Sequence, residues 1–258
     1  FIILWYGGTM FCKLNITLEN KSGYDINISS ILHGALMQFM TTEYVKSLHS
    51  NGLRPYTQHV EINKDAIDWV ITTLTKEAKE NIIDKIIISN PNEIYLEYKD
   101  DSLKVLKYGI ENIEYSEILD KTYFGDCSRI VRINFLTPTA FKVNGRYQFY
   151  PTIEHIFMSL INKHDYVSTG TQIFSEEIME EIREHVSIVG YNLRSRTFHL
   201  EGVKIPSFIG STTIKIGGNK QFVNLINMLC ECGKYSGVGI KTAIGMGAIN
   251  VFPKLRKE

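Results

Sequence analysis

The spacing of apolar and polar residues predicts an α+β first half that opens on a strand. Residues 11–18 (FCKLNITL) alternate apolar and polar side chains, as a half-buried strand does. Residues 26–40 then change to helical spacing, and Asn27, Ser29 or Ser30 is expected to cap this helix. The pattern then predicts a loop at residues 51–55 and a hairpin of residues 58–62 and 66–74 that turns at Asn63–Asp65. A helix at residues 76–86 and two strands around Asp100, at residues 93–98 and 102–108, complete this half.

The second half predicts the same order again. Its elements are a strand bent near Pro138, a helix, an acidic surface helix that looks like an insertion, a hairpin, a helix ending at Gly233 and a last strand: residues 130–143, 152–164, 175–186, 189–216, 220–233 and 248–252. Two βαββαβ units in tandem predict two ferredoxin-like (RRM-like) domains with antiparallel sheets. We place them at residues 1–125 and 126–258, with the boundary near residues 123–128. The open face of such a sheet can carry RNA.

Charge is distributed unevenly along a chain whose formal net charge is zero. From Val186 onwards ten lysines and arginines face only three acidic residues, so this last quarter carries +7 and the rest −7. A basic segment on a balanced chain favours a local anionic ligand. A solvated lysine-rich face is the alternative.

The cysteines argue against a zinc site, and the apolar run at the start argues against a membrane span. No CxxC pair occurs, and the Cys230–Cys232 pair in an apolar helical stretch is a poor zinc half-site, so buried reduced thiols in a cytoplasmic protein are expected, with no metal and no cofactor. The apolar run FIILWY is too short to span a bilayer. Because no basic region precedes it, it is also a poor signal peptide. Since the chain begins with Phe1, Met10 is a candidate natural start, and residues 1–9 would then be foreign to the native protein.

Four glycines within eleven residues, in SGVGIKTAIGMG (236–247), form the most unusual stretch. A dinucleotide fingerprint needs a glycine where Thr242 stands and a strand-to-helix order, whereas here a helix precedes and a strand follows. A GxxxxGK[ST] phosphate loop is absent, and a simple turn needs fewer glycines. The remaining interpretation is a loop whose bare amides face a phosphate backbone, with Lys241 adding a cation.

This stretch matches GhGxxxxxGhG, the C-terminal signature of the RAMP superfamily of CRISPR-associated proteins. The chain most resembles the Cas family-six endoribonucleases that cut CRISPR precursor RNA. LHGALMQFM and SLHSNGLRPYT resemble that family's first helix and catalytic region, and VRINFLTPTAFK its second domain. The segments at 189–216 and 235–247 look like the form that accompanies type III-A (Csm) systems.

The resemblance implies a metal-independent reaction in which a ribose 2′-OH attacks the adjacent phosphate. It implies catalytic roles for His33 and His49 and a cationic role for Arg54, where many members have lysine. Histidine suits acid–base chemistry because its pKa of ~6.5 lies near the operating pH. Without the resemblance, structural roles are favoured, with His33 as a core-edge histidine and His49 as a helix C-terminal cap.

Geometry limits this pair of histidines. Sixteen residues of unbroken helix would separate them by ~24 Å. The helix therefore has to break near Thr41–Thr42. Tyr44 is a spare candidate for the tyrosine that many members carry on the first helix, where this chain has Met37.

RNA contacts are expected from the glycine loop and from the basic second domain. The candidates are Gly237, Gly239, Lys241, Gly245, Gly247, Arg194 and Arg196. The two arginines alternate on one strand and point to one sheet face, or they belong to a solvated edge strand. The other histidines are expected to have structural or surface roles: His59, His155, His164, His185 and His199.

The expected partner is CRISPR repeat RNA, and a type III-A effector complex is a further candidate partner. No membrane association is expected. The expected oligomeric state is a monomer or a homodimer. Two rivals remain open: a non-catalytic RAMP subunit that binds guide RNA in an effector complex, and a nucleotide-binding enzyme that uses the glycine loop.

Overall fold

The computed structural model of the protein describes residues 10–50, 52–168, 172–200 and 202–254, without the side chains of Met10, His49 and Ser50. Residues 1–9 lie outside the described residues, and the prediction that they are foreign to the native protein therefore concerns residues outside the described ones. Among its described residues, the first half contains five strands and five α-helical segments, with a π-helical section at Lys79–Ile83 and a 3₁₀ turn at Glu97–Lys99. In order these are β1 Met10–Glu19, α1 Ile28–Gln38, α2 Thr42–Ser50, β2 Tyr56–Ile62, β3 Ala66–Thr73, α3 Lys76–Ala78, α4 Asp84–Ser89, β4 Glu93–Leu96, β5 Asp101–Glu114 and α5 Tyr115–Lys121.

The part of the second half that the structure describes contains six strands and three α-helices, with a 3₁₀ turn at Thr242–Ile244. In order these are β6 Ile130–Thr139, β7 Phe141–Val143, β8 Arg146–Gln148, α6 Ile153–Val167, α7 Glu176–His185, β9 Val186–Leu200, β10 Val203–Ile216, α8 Lys220–Ser236 and β11 Ile249–Pro253.

Sheet topology confirms the predicted fold class. The first sheet has the order β2-β3-β1-β5-β4 and the second β11-β6-β10-β9, and all their strand pairs are antiparallel. In the first sheet β1 lies between the last strand, β5, and the β2–β3 hairpin, and β4 is an added edge strand. In the second sheet β6 lies in the same way between β11 and the β9–β10 hairpin. This arrangement is the βαββαβ pattern. The sheets use residues 10–114 and 130–253. The domain boundary proposed between them stays a prediction.

Apolar burial joins the two units. One core contains the helices of the second unit together with Phe11, Leu74 and Ile113 from the first. Phe11 stacks on Tyr235 of α8 with ring centroids 5.0 Å apart. Thr57 of β2 also donates a hydrogen bond of 2.8 Å to the carbonyl of Tyr235. The helical layer of the second unit is thereby fixed against the first sheet.

Several predicted local features are wrong. Helix α8 continues past Gly233 to Ser236, because Gly233 serves close packing: a Cβ there would lie 2.7 Å from Leu160 and 2.9 Å from Ile249. Gly237 follows the helix as its C-cap residue, and its positive φ of 66° favours glycine there. The side chains proposed to cap α1 do not cap it, since Ser29 and Ser30 donate backwards to carbonyls and Asn27 bonds Asp25.

Helix α7 is more than a surface insertion. Its acidic face is exposed, but Met179 and Ile182 are fully buried in the core of the second unit. The predicted strand 130–143 also divides at Ala140, and β7 pairs with β8 in a hairpin that the sequence did not predict. Among the described residues, no helix is long and apolar enough to cross a membrane.

Candidate active site

The first helical segment breaks where a two-histidine site requires it. Helix α1 ends at Gln38, and the Phe39 and Met40 amides bond back to Leu36 and Met37 in a tightened turn. Helix α2 then begins at Thr42, and the amide of Tyr44 donates to the hydroxyl of Thr41 at 3.3 Å. A single straight helix, which would have excluded a shared site, is therefore not formed.

His33 lies half-buried on α1, with a partner that sequence reasoning missed. Its Nε2 is 3.1 Å from the hydroxyl of Tyr56, the first residue of β2. Tyr56 is 1% exposed, and burial raises the pKa of its phenol well above the ordinary value, against a smaller lowering by Arg54. The neutral hydroxyl therefore orients the imidazole in either of its protonation states. No local sequence pattern links residues 33 and 56, because the contact depends on how α1 packs across β2.

Arg54 belongs to the same neighbourhood. It is half-buried on the segment that leads into β2, and its charge acts on the pKa of Tyr56 two residues later. The carbonyl of Pro55 accepts a hydrogen bond of 2.8 Å from the amide of Leu74, which ties this segment to the end of β3. Arg54 thus lies two residues before the tyrosine that contacts His33.

His49 is the predicted residue whose side chain lies outside the described residues. Its backbone is in the last turn of α2, and the preceding Tyr44 and Leu48 anchor that helix in the core of the first unit. Tyr44, the spare candidate, is 8% exposed, and its hydroxyl has no hydrogen-bond partner among the residues with described side chains. Burial raises the pKa of Tyr44, so it is a neutral core residue.

The glycine loop corrects one expectation. Its amides were expected to be bare, but most donate hydrogen bonds within the protein. Gly237 bonds Gly233, Gly239 bonds the hydroxyl of Ser159 at 2.8 Å, and Gly247 bonds Pro138 at 3.0 Å. These donors are unavailable to a phosphate. The loop also runs from helix to strand, as expected, which is the wrong order for a dinucleotide site.

The glycines instead permit close backbone packing. Gly239 would bring a Cβ within 2.4 Å of the Ala140 carbonyl, and Gly245, with φ of 114°, within 2.2 Å of the Ser29 hydroxyl. Ser29 lies on α1 one turn before His33, and residues four apart share a helix face. The loop is therefore in direct contact with the helix that carries His33. Ala243 of the loop is buried in the core of the first unit.

Two lysines belong to this loop region. Lys241 is half-buried in a left-handed backbone conformation, with φ of 56°. Lys163 of α6, which sequence reasoning missed, lies beneath the loop: its Nζ donates to the carbonyl of Ser236 at 3.1 Å and to the hydroxyl of Thr242 at 3.4 Å. Burial lowers the pKa of Lys163 to about 7.

Arg194 and Arg196 are exposed on β9, the edge strand of the second sheet. Arg196 lines a groove of about 470 Å³ that also contains Asn27, Phe149 and His199. The amide of His199 donates to the side-chain oxygen of Asn27 at 3.1 Å, which joins the tip of the β9–β10 hairpin to the start of α1. RNA binding by these two arginines stays a prediction.

The chemistry of this neighbourhood is that of imidazole and guanidinium groups. Within the described ranges, no three His, Cys, Asp or Glu residues are placed to hold a metal ion. Burial raises the pKa of the Cys230 thiol to about 12, so this cysteine is a protonated core residue.

Comparison with known proteins decides the family. A family model described as CRISPR-associated endoribonuclease Cas6 matches residues 133–249. A CRISPR-associated endoribonuclease Cas6 from Mycobacterium tuberculosis (strain H37Rv) is 32% identical over 251 residues, which is 95% of this chain and 80% of that protein. One from Streptococcus thermophilus is 32% identical over 252 residues, 93% of this chain and 97% of that protein. The chain belongs to the Cas6 family.

Solved Cas6 structures share the fold. A Cas6 product complex superposes with a TM-score of 0.79 at 19% identity and covers 94% of this chain and 100% of that chain. Thermus thermophilus Cas6 gives a TM-score of 0.75 at 19% identity, with 95% and 100% coverage. At these identities the likeness concerns the fold alone. The endoribonuclease class of this Cas6-family chain comes from its sequence relatives.

Proposed function

We propose that this Cas6-family chain is a metal-independent endoribonuclease that cleaves CRISPR precursor RNA within its repeats. In the proposed step the ribose 2′-oxygen attacks the adjacent phosphorus, forming an O2′–P bond as the P–O5′ bond breaks. A base takes the 2′-hydroxyl proton and an acid protonates the leaving 5′-oxygen. The products are a 2′,3′-cyclic phosphate and a 5′-hydroxyl. The two proton transfers suit a pair of histidines.

The contact between Gly245 and Ser29 carries the proposal. It fixes the basic second unit against α1 one turn from His33. RNA that follows the Lys241 side of the loop is then within reach of the imidazole. A site divided between distant surfaces would not support this chemistry.

The remaining roles are proposed from the family resemblance and from position. His33 and His49 act as acid and base, and Tyr56 is a positioning residue that holds the His33 ring through the 3.1 Å contact. Arg54 supplies the cation for the phosphorane, since a guanidinium can pair with two phosphate oxygens at once. Lys241, Arg194 and Arg196 hold the RNA backbone. The glycines contribute through close packing, because the amides of Gly237, Gly239 and Gly247 are used internally.

The proposed partner is CRISPR repeat RNA, and a type III-A effector complex is proposed as the assembly that receives the product. A monomer or homodimer in the cytoplasm is the proposed state of the enzyme. These partners follow from the sequence resemblance.

The test is incubation of the protein with its host's repeat RNA in EDTA, followed by analysis of the 3′ ends. We expect one cut per repeat, a cyclic phosphate terminus and a bell-shaped pH–rate profile. His49→Ala should abolish cutting and leave RNA binding near the wild-type level. His185→Ala is the matched control, because His185 ends α7 and packs on Phe222 of α8, with ring centroids 6.0 Å apart. Loss of cleavage in EDTA would reject metal independence, and tight binding without cutting would favour the non-catalytic RAMP subunit.

A further inference from the structure

The second sheet has an open face on the side away from its helices. Val131 and Ile133 of β6 point into the core with α6 and α8. Side chains alternate along a strand, so Arg132, Asn134 and Leu136 point the other way. Leu136 is 40% exposed, and Arg132 is exposed. This face is therefore available to a partner.

Charge distinguishes this sheet from the first. Strands β6, β9, β10 and β11 contain no aspartate or glutamate, and five cations: Arg132, Arg194, Arg196, Lys204 and Lys215. The five strands of the first sheet contain seven acidic residues and three lysines. A sheet without acidic residues is complementary to a polyanion.

Strand register places an aromatic ring beside an oriented guanidinium on this face. Phe252 of β11 lies directly opposite Arg132 of β6 and is 48% exposed. Arg132 donates from Nε to Asn134 at 3.0 Å and from Nη2 to Ser211 of β10 at 3.0 Å. These bonds lay the guanidinium across neighbouring strands, and with five N–H donors the group still has donors for a phosphate.

Side-chain amides adjoin this pair. Asn250 lies opposite Asn134 in register, and Asn192 of β9 lies opposite Ser211. Amides can bond the edges of unpaired bases, and Arg194 follows on the same face of β9 two residues after Asn192. The face thus combines a stacking surface, cations and base-edge partners, which is the combination that binds single-stranded nucleic acid.

We propose that this open face, defined by Arg132, Asn134, Asn192, Asn250 and Phe252, binds a single-stranded segment of the RNA outside the repeat that is cut. One base stacks on Phe252, and Arg132 contacts a phosphate. The inference rests on the chain acting on RNA, but it does not depend on which residues cut. It assigns a second RNA-binding surface, on the face of the sheet opposite α6 and α8.

The test compares repeat RNA with repeat RNA that carries a single-stranded extension of about ten nucleotides, at either end, within the range of one such binding surface. For the wild-type protein we expect one of the two extensions to lower Kd, measured by fluorescence anisotropy. Phe252→Ala should remove about fivefold or more of that gain, as loss of one stacked base does. Arg132→Gln should lower the slope of log K against log salt by about 0.7.

Phe124→Ala is the matched control, since Phe124 is 60% exposed and lies outside both sheets. It should keep the full gain from the extension. As a direct readout, 4-thiouridine in the extension should crosslink to peptides of β6 or β11.

Three outcomes overturn the proposal. An extension that adds no affinity means that a protein or nothing covers this face. Crosslinks confined to the first sheet place the extension elsewhere. An equal loss on repeat RNA with and without the extension makes the face part of the cleavage site. Each differs from failure of the proposed function, in which the wild-type protein neither binds nor cuts the repeat.

Discussion

Gly245→Ala is the change that most directly tests the contact between the glycine loop and α1. The native backbone has φ of 114°, and an added Cβ would lie 2.2 Å from the Ser29 hydroxyl and 2.5 Å from its Cβ. The unfavourable backbone costs about 1–2 kcal/mol. Overpacking at a site that cannot collapse adds about 1–3 kcal/mol. We therefore expect a loss of about 2–5 kcal/mol in the free energy of unfolding.

Because His33 lies one turn along α1 from Ser29, relief of the clash moves the helix that carries the imidazole. Cleavage should fall more than tenfold in kcat, since small misplacements of a reacting group are costly. Unfolding in urea and single-turnover cleavage of repeat RNA measure the two effects. Gly34→Ala is the control within the same helix: nothing lies within 4 Å of its added Cβ, and it should stabilise by about 0.5–1 kcal/mol.

A double-mutant cycle separates the two parts of the cost. Ser29→Gly removes the Oγ and Cβ atoms that the new methyl group meets and leaves the Cα at 3.7 Å. With Gly245→Ala it should show a favourable coupling of about 1–3 kcal/mol, the packing part, while the backbone part persists. An unchanged urea midpoint in Gly245→Ala, or strict additivity of the two changes, would refute this account of the loop.

Two further changes probe the missed residues. Tyr56→Phe removes the hydroxyl 3.1 Å from His33, so kcat should fall about fivefold with KM unchanged and one limb of the pH–rate profile displaced; an unchanged profile would contradict the positioning role. Lys163 has a folded-state pKa of about 7, below the usual 10.5, so the unfolded chain binds more protons between these values and stability rises with pH there. Relative to Lys163→Met, the wild-type protein should gain about 2 kcal/mol in unfolding free energy from pH 7 to pH 9, and a pH-independent difference would contradict the lowered pKa.

Periodicity predicted the elements well because most of them bury one face. The alternation in residues 11–18 and the helical stripe in 26–40 correspond to β1 and α1, and both bury their apolar positions in the core of the first unit. The β7–β8 hairpin was missed because three-residue strands are too short to show a period. Gly233 misled the prediction of a helix end because close packing against Leu160 and Ile249, invisible in sequence, also selects glycine.

The site was predictable only through its resemblance to a family. His33, His49 and Arg54 carry no local pattern that separates a catalytic role from a structural one. Their supporting partners were not predicted at all. Tyr56 and Lys163 act across sequence separations of 23 and 79 residues, in contacts to His33 and Thr242 that depend on tertiary packing. The RNA contacts stay predictions for the same reason, since exposure of Arg194 and Arg196 suits either interpretation.

The glycine motif shows how one sequence signal can have a different physical cause from the one it suggests. Four glycines near a lysine predict a phosphate-binding loop. The amides of Gly239 and Gly247 instead donate hydrogen bonds to Ser159 and Pro138. Because glycine has no side chain, the backbone of Gly239 packs closely against Ala140 and that of Gly245 against Ser29. In this fold the glycines therefore help to fix the position of the helix that carries His33.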